Sequence, residues 1–375
     1  MNNYLLRCRS LFKTAVNKIV VIGNESCDLD SAVCSIAMAF HLQCQPILLG
    51  TSHTRDTVVF PVLNVIRDEL PLKTEVTFYL KKAGIKLDAL ICTDEIDWEN
   101  ETTLNIVLVD HHVTKLKQNV LGIFDHRPID SNSQLNVNAF TTIEIVGSCA
   151  SLVGREILNN ALLEPLEGYC IGMELLYGAI VLDTVNFSKQ ADKAKPLDYE
   201  IAEKFEEKLG INKDNRKKIR EELFKSLVAA RSDVSELNAY QLLLKDLKIV
   251  SQHDQIVSLP GFPMAVQDYI KIPDQSEHFK RFTSNTRSNV VVLLGMKVLP
   301  DGSVRRDIGV IPVDNEPLAA RIITALQECK ETNFELEKLN SSESCGGTFF
   351  QQHNLKASRK QLIPVIKNVL SGVEK

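Results

Sequence analysis

The sequence predicts an α/β protein: a parallel-sheet domain followed by a smaller α/β domain. Three observations carry that reading. Short apolar runs alternate with helical stretches from Lys18 to about Ser188; three of the first five runs end in acids, amides or imidazoles; and a fresh set of strand-like runs begins beyond a charge-alternating segment. A length of 375 residues also suits two cores better than one.

The first run, residues 19–23, leads into Asn24-Glu25-Ser26-Cys27-Asp28-Leu29-Asp30. Residues 31–42 follow as a helix with Ala32, Ile36, Ala39 and Phe40 on its apolar stripe. Further runs lie at 46–49, 105–109, 121–124 and 142–146; the third of the five ends in Asp110-His111-His112 and the fourth in Asp125-His126-Arg127. A helix from Leu166 reaches Asp183 after the apolar Ala179-Ile180-Val181-Leu182. In doubly wound sheets the carboxyl ends of the strands share one crevice, so acids and imidazoles delivered there by separate strands point to a common pocket. Residues 1–190 are therefore expected as one domain and 191–235 as a charged helical linker. Residues 236–375 form the second domain, with strands at 248–251, 290–299 and 305–313 and a last helix near Ser358.

Composition narrows the function. A net charge of −5 and a pI near 6.0 exclude a general nucleic-acid binder. Nine cysteines without a C-x-x-C pair read as reduced thiols. No apolar run approaches the roughly 18 residues needed to cross a bilayer, so the expectation is a soluble, cytoplasmic protein. The basic, acid-free stretch 1–18 matches either a mitochondrial presequence, and hence the matrix, or a first helix lying on the sheet.

Asp28 and Asp30 flank one residue at a helix entrance, where they either cap the helix or offer oxygens to a hard cation. Asp110, Asp125 and His126 sit beside buried strands, and Asp183 in an apolar helix. Such groups are costly unless paired, hydrogen-bonded or bound to metal.

Taken in order, four segments resemble the motifs of the DHH phosphoesterase superfamily, and within it the prune-type exopolyphosphatases: Asn24 to Ser31, Asp110-His111-His112, Asp125-His126-Arg127, and Asp183-Thr184. Lys245-Asp246-Leu247-Lys248 and Ser358-Arg359-Lys360-Gln361 resemble the basic segments of the DHHA2 domain, shared with family II inorganic pyrophosphatases. The resemblance implies a parallel-sheet DHH domain, a DHHA2 domain and an active site in the cleft between them. It implies Asp28, Asp30, Asp110, His126 and Asp183 as metal ligands, Asp110, Asp183 and Asp28 as the catalytic set, and Asp125 as the acid orienting His126. Lys248, Arg359 and Lys360 would grip phosphate.

Two departures stand out. Asn24 replaces a ligating histidine of the pyrophosphatases, and Arg127 stands where many relatives have a second histidine. Both are therefore expected near substrate, with one of two divalent ions (Mn²⁺, Mg²⁺ or Co²⁺) held more weakly. The implied reaction is release of terminal phosphate from short-chain inorganic polyphosphate. The alternatives are cyclic-nucleotide (cAMP) phosphodiesterase activity, or a mainly regulatory role as a binding partner of nucleoside diphosphate kinase.

Overall fold

The computed structural model describes residues 1–45, 56–101, 103–130, 135–136, 138–160, 167–299, 301–339 and 346–372. The chain forms two compact units, Met1–Asp233 and Val234–Lys375.

In the first unit, β1 (Asn17–Ile22), β2 (Thr57–Leu63), β3 (Ile91–Cys92), β4 (Asn105–Val109), β5 (Asn119–Asp125) and β6 (Phe140–Ile143) form one sheet. Its order is β3-β2-β1-β4-β5-β6, with every pair parallel. The chain reverses its winding between β1 and β4, and that neighbouring pair opens the crevice where such sheets place their sites. The expected run at 46–49 lies outside the described residues. β2 and β3 were not anticipated: Pro61 sits in the middle of β2 and argues against a strand there, while β3 is only two residues long.

α1 (Asn2–Leu11) packs on the β2–β3 side of the sheet, where Tyr4 donates to the Val59 carbonyl at 2.6 Å. The basic N-terminal stretch is thus a folded helix. α2 (Leu29–Cys44) lies against α3 (Thr74–Lys82), α4 (Cys149–Asn160) and α5 (Glu167–Asp183), buried from Leu29 to Leu42, and its Phe40 ring meets Tyr4 of α1 edge-on. Gly23 permits that depth: a Cβ there would come within 2.7 Å of the Ser31 Cβ and 2.9 Å of the Ser31 carbonyl oxygen. The expected helix start at Leu166 lies outside the described residues.

Residues 191–235 are not a linker. They form α6 (Pro196–Lys208) and α7 (Arg216–Ser232), which pack on α5 and bury Ile201, Ala202, Phe205, Leu223 and Leu227 in the first unit's core. Their alternating charges cover only the outer faces.

The second unit is built on a mixed sheet of order β11-β12-β10-β9-β8-β7. Its strands are β7 (Leu247–Gln252), β8 (Gln255–Phe262), β9 (Val290–Val298), β10 (Val304–Pro312), β11 (Leu336–Lys338) and β12 (Thr348–Gln352). Its helices are α8 (Ala239–Lys245), α9 (Val266–Ile270), α10 (Gln275–Thr286), α11 (Glu316–Glu328) and α12 (Arg359–Ser371), the last two of which supply Leu318, Ile322, Leu362 and Ile366 to its core. Ser358 caps α12 through Lys360 N and, with Gln361, completes a capping box. No disulfide joins the described cysteines, and no described helix is long and apolar enough to cross a membrane.

Candidate metal centre

The carboxyl ends of β1, β4 and β5 and the end of α5 converge on one cleft of about 360 Å³ in the first unit. Asp28, Asp30, Asp110, His126, Arg127 and Asp183 all line it. Sequence reasoning anticipated each of these.

Asp110 is the centre of the group. It is fully buried, with φ of 61°, a left-handed conformation uncommon for residues with a side chain. Its Oδ2 accepts from Ser31 Oγ and Asn24 Nδ2, both at 2.7 Å. Its Oδ1 accepts no hydrogen bond of good geometry, yet has His126 Nε2 at 3.2 Å and Arg127 Nη1 at 3.0 Å. A buried carboxylate oxygen left over in this way, beside an imidazole nitrogen, is the donor arrangement a divalent cation uses.

Asp30, 3 % exposed, accepts from the backbone N–H groups of Cys149 (2.7 Å) and Ala150 (2.8 Å) at the start of α4, so the helix end fixes its orientation. Its Oδ2 lies 4.0 Å from His126 Nε2, and candidate ligand atoms of Asp30, Asp110 and His126 all fall within 4.8 Å of one another. Asp28 caps α2 by accepting from Ser31 N at 3.2 Å, the first of the two uses its spacing allowed. His126 Nδ1 donates to the Val146 carbonyl at 3.0 Å, which turns Nε2 toward the acids.

Crowded carboxylates leave an electrostatic signature. Burial and the neighbouring Asp110 charge push Asp30 up to about 7. Burial, with Asp30 and Asp28 close by, holds Asp183 well above the usual carboxylate range. His126 is pulled down by burial, but Asp110 and Asp30 outweigh this and raise it to about 9. The cluster favours positive charge at its centre.

Two expectations change. Asp125 does not orient His126: its Oδ2 pairs with His112 Nδ1, and its Oδ1 accepts from the backbone N–H groups of His126 (2.7 Å) and Arg127 (3.2 Å). His112 Nε2 in turn accepts from Asp130 N at 3.0 Å, so the second histidine of Asp110-His111-His112 braces the loop after β5. Asn24 spends its amide on protein contacts: its Nδ2 holds Asp110, and its Oδ1 accepts from Ser26 N (2.8 Å) and Ser26 Oγ (2.6 Å).

Lys248, Arg359 and Lys360 belong to the second unit. Lys248 and Lys360 are exposed. Arg359 donates to the Asp246 carbonyl (2.7 Å) and Asp246 Oδ1 (2.6 Å), and more distantly to the Leu259 carbonyl (3.4 Å), stapling α12 to the β7–β8 pair. These bonds give Arg359 a structural role that the sequence did not signal.

Sequence reasoning missed Asp192, Lys193 and Lys195, which line the first unit's cleft. Their one signal is position, a short polar stretch after the buried acid Asp183, and it was absorbed into the supposed linker.

A parallel sheet with a carboxylate–histidine cluster at its switch point defines a metal-binding α/β protein of the phosphoesterase type. Residues 225–369 match the family model described as the DHHA2 domain. Exopolyphosphatase PRUNE1 of Mus musculus is 32% identical over 380 residues, covering 99% of this chain and 80% of the relative. The Homo sapiens protein of the same name is 31% identical with the same coverage. The manganese-dependent inorganic pyrophosphatase of Methanocaldococcus jannaschii is 23% identical over 295 residues, 77% of this chain and 86% of the relative. The chain belongs to the prune-type exopolyphosphatase family of DHH–DHHA2 proteins.

Proposed function

We propose that this protein is a metal-dependent phosphoanhydride hydrolase that releases terminal phosphate from short-chain inorganic polyphosphate. The observation that carries the metal site is the buried Asp110 Oδ1, which accepts no well-formed hydrogen bond and sits among Asp30, His126 and Arg127.

Asp28, Asp30, Asp110, His126 and Asp183 would hold two divalent cations. Formal charge supports two: five carboxylates in the cleft (Asp28, Asp30, Asp110, Asp183, Asp192) face three fixed cations (Arg127, Lys193, Lys195), which leaves −2. One divalent ion neutralises this, and a second makes the cleft attractive to a polyanion. Such ions supply Lewis acidity and a nucleophilic water at neutral pH. A histidine among oxygen donors favours Mn²⁺ or Co²⁺ over Mg²⁺. One position would be the weaker, because Asn24 spends its amide oxygen on Ser26 and Arg127 offers no lone pair.

The protein's own groups do the rest. The Val146 carbonyl fixes the His126 tautomer, the start of α4 orients Asp30, and Ser31 with Asn24 aims Asp110. Arg127, about half exposed, turns its guanidinium over Asp110, from where it can take a phosphoryl oxygen. The test is phosphate release from tripolyphosphate, tetrapolyphosphate, pyrophosphate and cAMP, each with Mg²⁺, Mn²⁺ or EDTA. Release from the first two with metal, and none with EDTA, is the expected result; turnover confined to cAMP would overturn the substrate assignment.

A further inference from the structure

The loop joining α5 to α6 is held with more care than a solvated connection needs. Directly after Asp183, three residues in succession, Val185, Asn186 and Phe187, adopt left-handed backbone at φ of 53°, 52° and 58°. That region is unfavourable for residues with a side chain, most of all a β-branched one. Asn186 N donates to the Val181 carbonyl at 2.8 Å, and Thr184 Oγ1 accepts from Phe187 N at 3.2 Å. The Arg220 guanidinium lies over the Phe187 ring at 4.6 Å and is itself bound by the buried Glu206.

The far end of the loop is pinned by Asp198, which is fully buried. Its Oδ2 accepts from Lys195 N (2.7 Å) and Gly147 N (2.8 Å), and its Oδ1 from Ser151 Oγ (2.6 Å). Gly147 has to be glycine for this contact: a Cβ would lie 2.8 Å from Asp198 Oδ2 and 3.0 Å from the Lys193 carbonyl oxygen. The residue before Gly147 gives its carbonyl to His126, and Cys149 and Ala150 just beyond it give their N–H groups to Asp30. One buried carboxylate therefore ties the segment carrying Lys193 and Lys195 to the segment that orients two of the metal-site residues.

Both lysines line the metal cleft. Lys195 Nζ donates to the Asp192 carbonyl at 3.2 Å, and among the described residues no hydrogen bond or ion pair engages the exposed Lys193 ammonium. We propose that Lys193 and Lys195 bind phosphoryl oxygens of the substrate from the metal-binding unit itself, and that Asp198 is the residue that positions them. The proposal rests on the polyphosphate reading above and adds to it a grip beyond the scissile bond.

The experiment uses the full chain with Mn²⁺ or Mg²⁺. Steady-state phosphate release from tripolyphosphate and tetrapolyphosphate is measured beside calorimetric Mn²⁺ titration and tripolyphosphate binding with Ca²⁺. Lys193→Ala with Lys195→Ala should raise KM and weaken tripolyphosphate binding roughly tenfold or more, as for loss of charge-assisted hydrogen bonds, with kcat and Mn²⁺ affinity little changed. Asp198→Ala should reproduce the KM rise with both lysines present. Asp198→Asn should largely rescue it, since an amide oxygen can still accept from Lys195 N and Gly147 N. Should Asp198→Ala fail to fold, Ser151→Ala, which removes one anchor of that carboxylate, should give an intermediate KM rise. Wild-type KM and binding in the double-lysine variant would overturn the phosphate-binding assignment, and lost Mn²⁺ affinity at unaltered KM in the Asp198 and Ser151 variants would overturn the positioning role. If the wild-type chain released no phosphate from any polyphosphate, the hydrolase reading would fail separately, and the tripolyphosphate-binding arm would still decide on the lysines.

Discussion

Asp110→Asn separates a metal ligand from a merely structural acid, because the substitution keeps shape and removes charge. In the native site Oδ2 takes two hydrogen bonds, from Ser31 Oγ and Asn24 Nδ2 at 2.7 Å each, whereas Oδ1 takes none of good geometry. The amide oxygen of asparagine therefore settles in the Oδ2 position and its NH₂ in the Oδ1 position. There it faces His126 Nε2, 3.2 Å from the atom it replaces, and blocks that lone pair as well. One change thus removes one ligand and occupies a second. Replacing even an outer-shell partner of a metal typically costs 10–100-fold in affinity, so the loss here should exceed about a hundredfold for Mn²⁺. Turnover should fall on the order of a thousandfold, or about 4 kcal/mol. The fold itself should survive, since both native donors keep an acceptor and one charge leaves a crowd of carboxylates. The assay is calorimetric Mn²⁺ titration, tripolyphosphate turnover and thermal melting in EDTA. A metal-free melting temperature equal to or above that of wild type, with metal binding lost, is expected. Retention of more than a tenth of wild-type kcat at saturating Mn²⁺ by a folded variant would falsify the assignment of Asp110 as a ligand.

Arg127→His should tighten Mn²⁺ or Co²⁺ binding, by freeing Asp110 Oδ1 from a guanidinium 3.0 Å away and adding an imidazole. It should also raise KM for tripolyphosphate; a melting shift with both constants unchanged would mean that Arg127 only braces the loop. Arg359→Ala should lower the melting temperature by roughly 3–6 °C through loss of its bonds to Asp246, whereas Lys360→Ala should leave it unchanged. Equal melts for the two variants would argue against the staple. Mn²⁺ affinity should rise between pH 6 and 8 with release of protons to buffer, because Asp30, raised to about 7, must ionise to bind a cation. For the metal-free protein the sign is opposite. A carboxyl raised from 3.8 to about 7 and an imidazole raised from 6.5 to about 9 both give stability that is present at low pH and lost as pH rises through the higher value. Melting in EDTA should fall from pH 5.5 to 8.5 and Mn²⁺ should reverse the fall; a Mn²⁺ affinity flat across that range would count against Asp30 as a ligand.

Part of the metal site was legible because local pattern carries it. An acid or imidazole following a short apolar run marks a strand end, and Asp110 and His126 announce themselves this way, as Asp183 does at the end of an apolar helix; Asp28 and Asp30 show only a D-x-D spacing at a helix entrance, and the resemblance had to single them out. The strand–helix alternation likewise requires a parallel sheet, since parallel neighbours need a crossover between them. Hydrogen-bond direction is another matter. Whether Asp125 serves His126 or His112, or whether Asn24 faces substrate or Asp110, depends on side-chain angles that separate strands set only once packed. The same holds for the charged stretch after Asp183. Its alternating signs describe a solvated surface, and only the packing of α6 and α7 on α5 shows that Phe205, Leu227 and Asp198 are core residues. Lys193 and Lys195 reach the metal cleft for a reason no periodicity encodes: a buried carboxylate 51 residues along the chain from Gly147 accepts that glycine's N–H and the N–H of Lys195 at once.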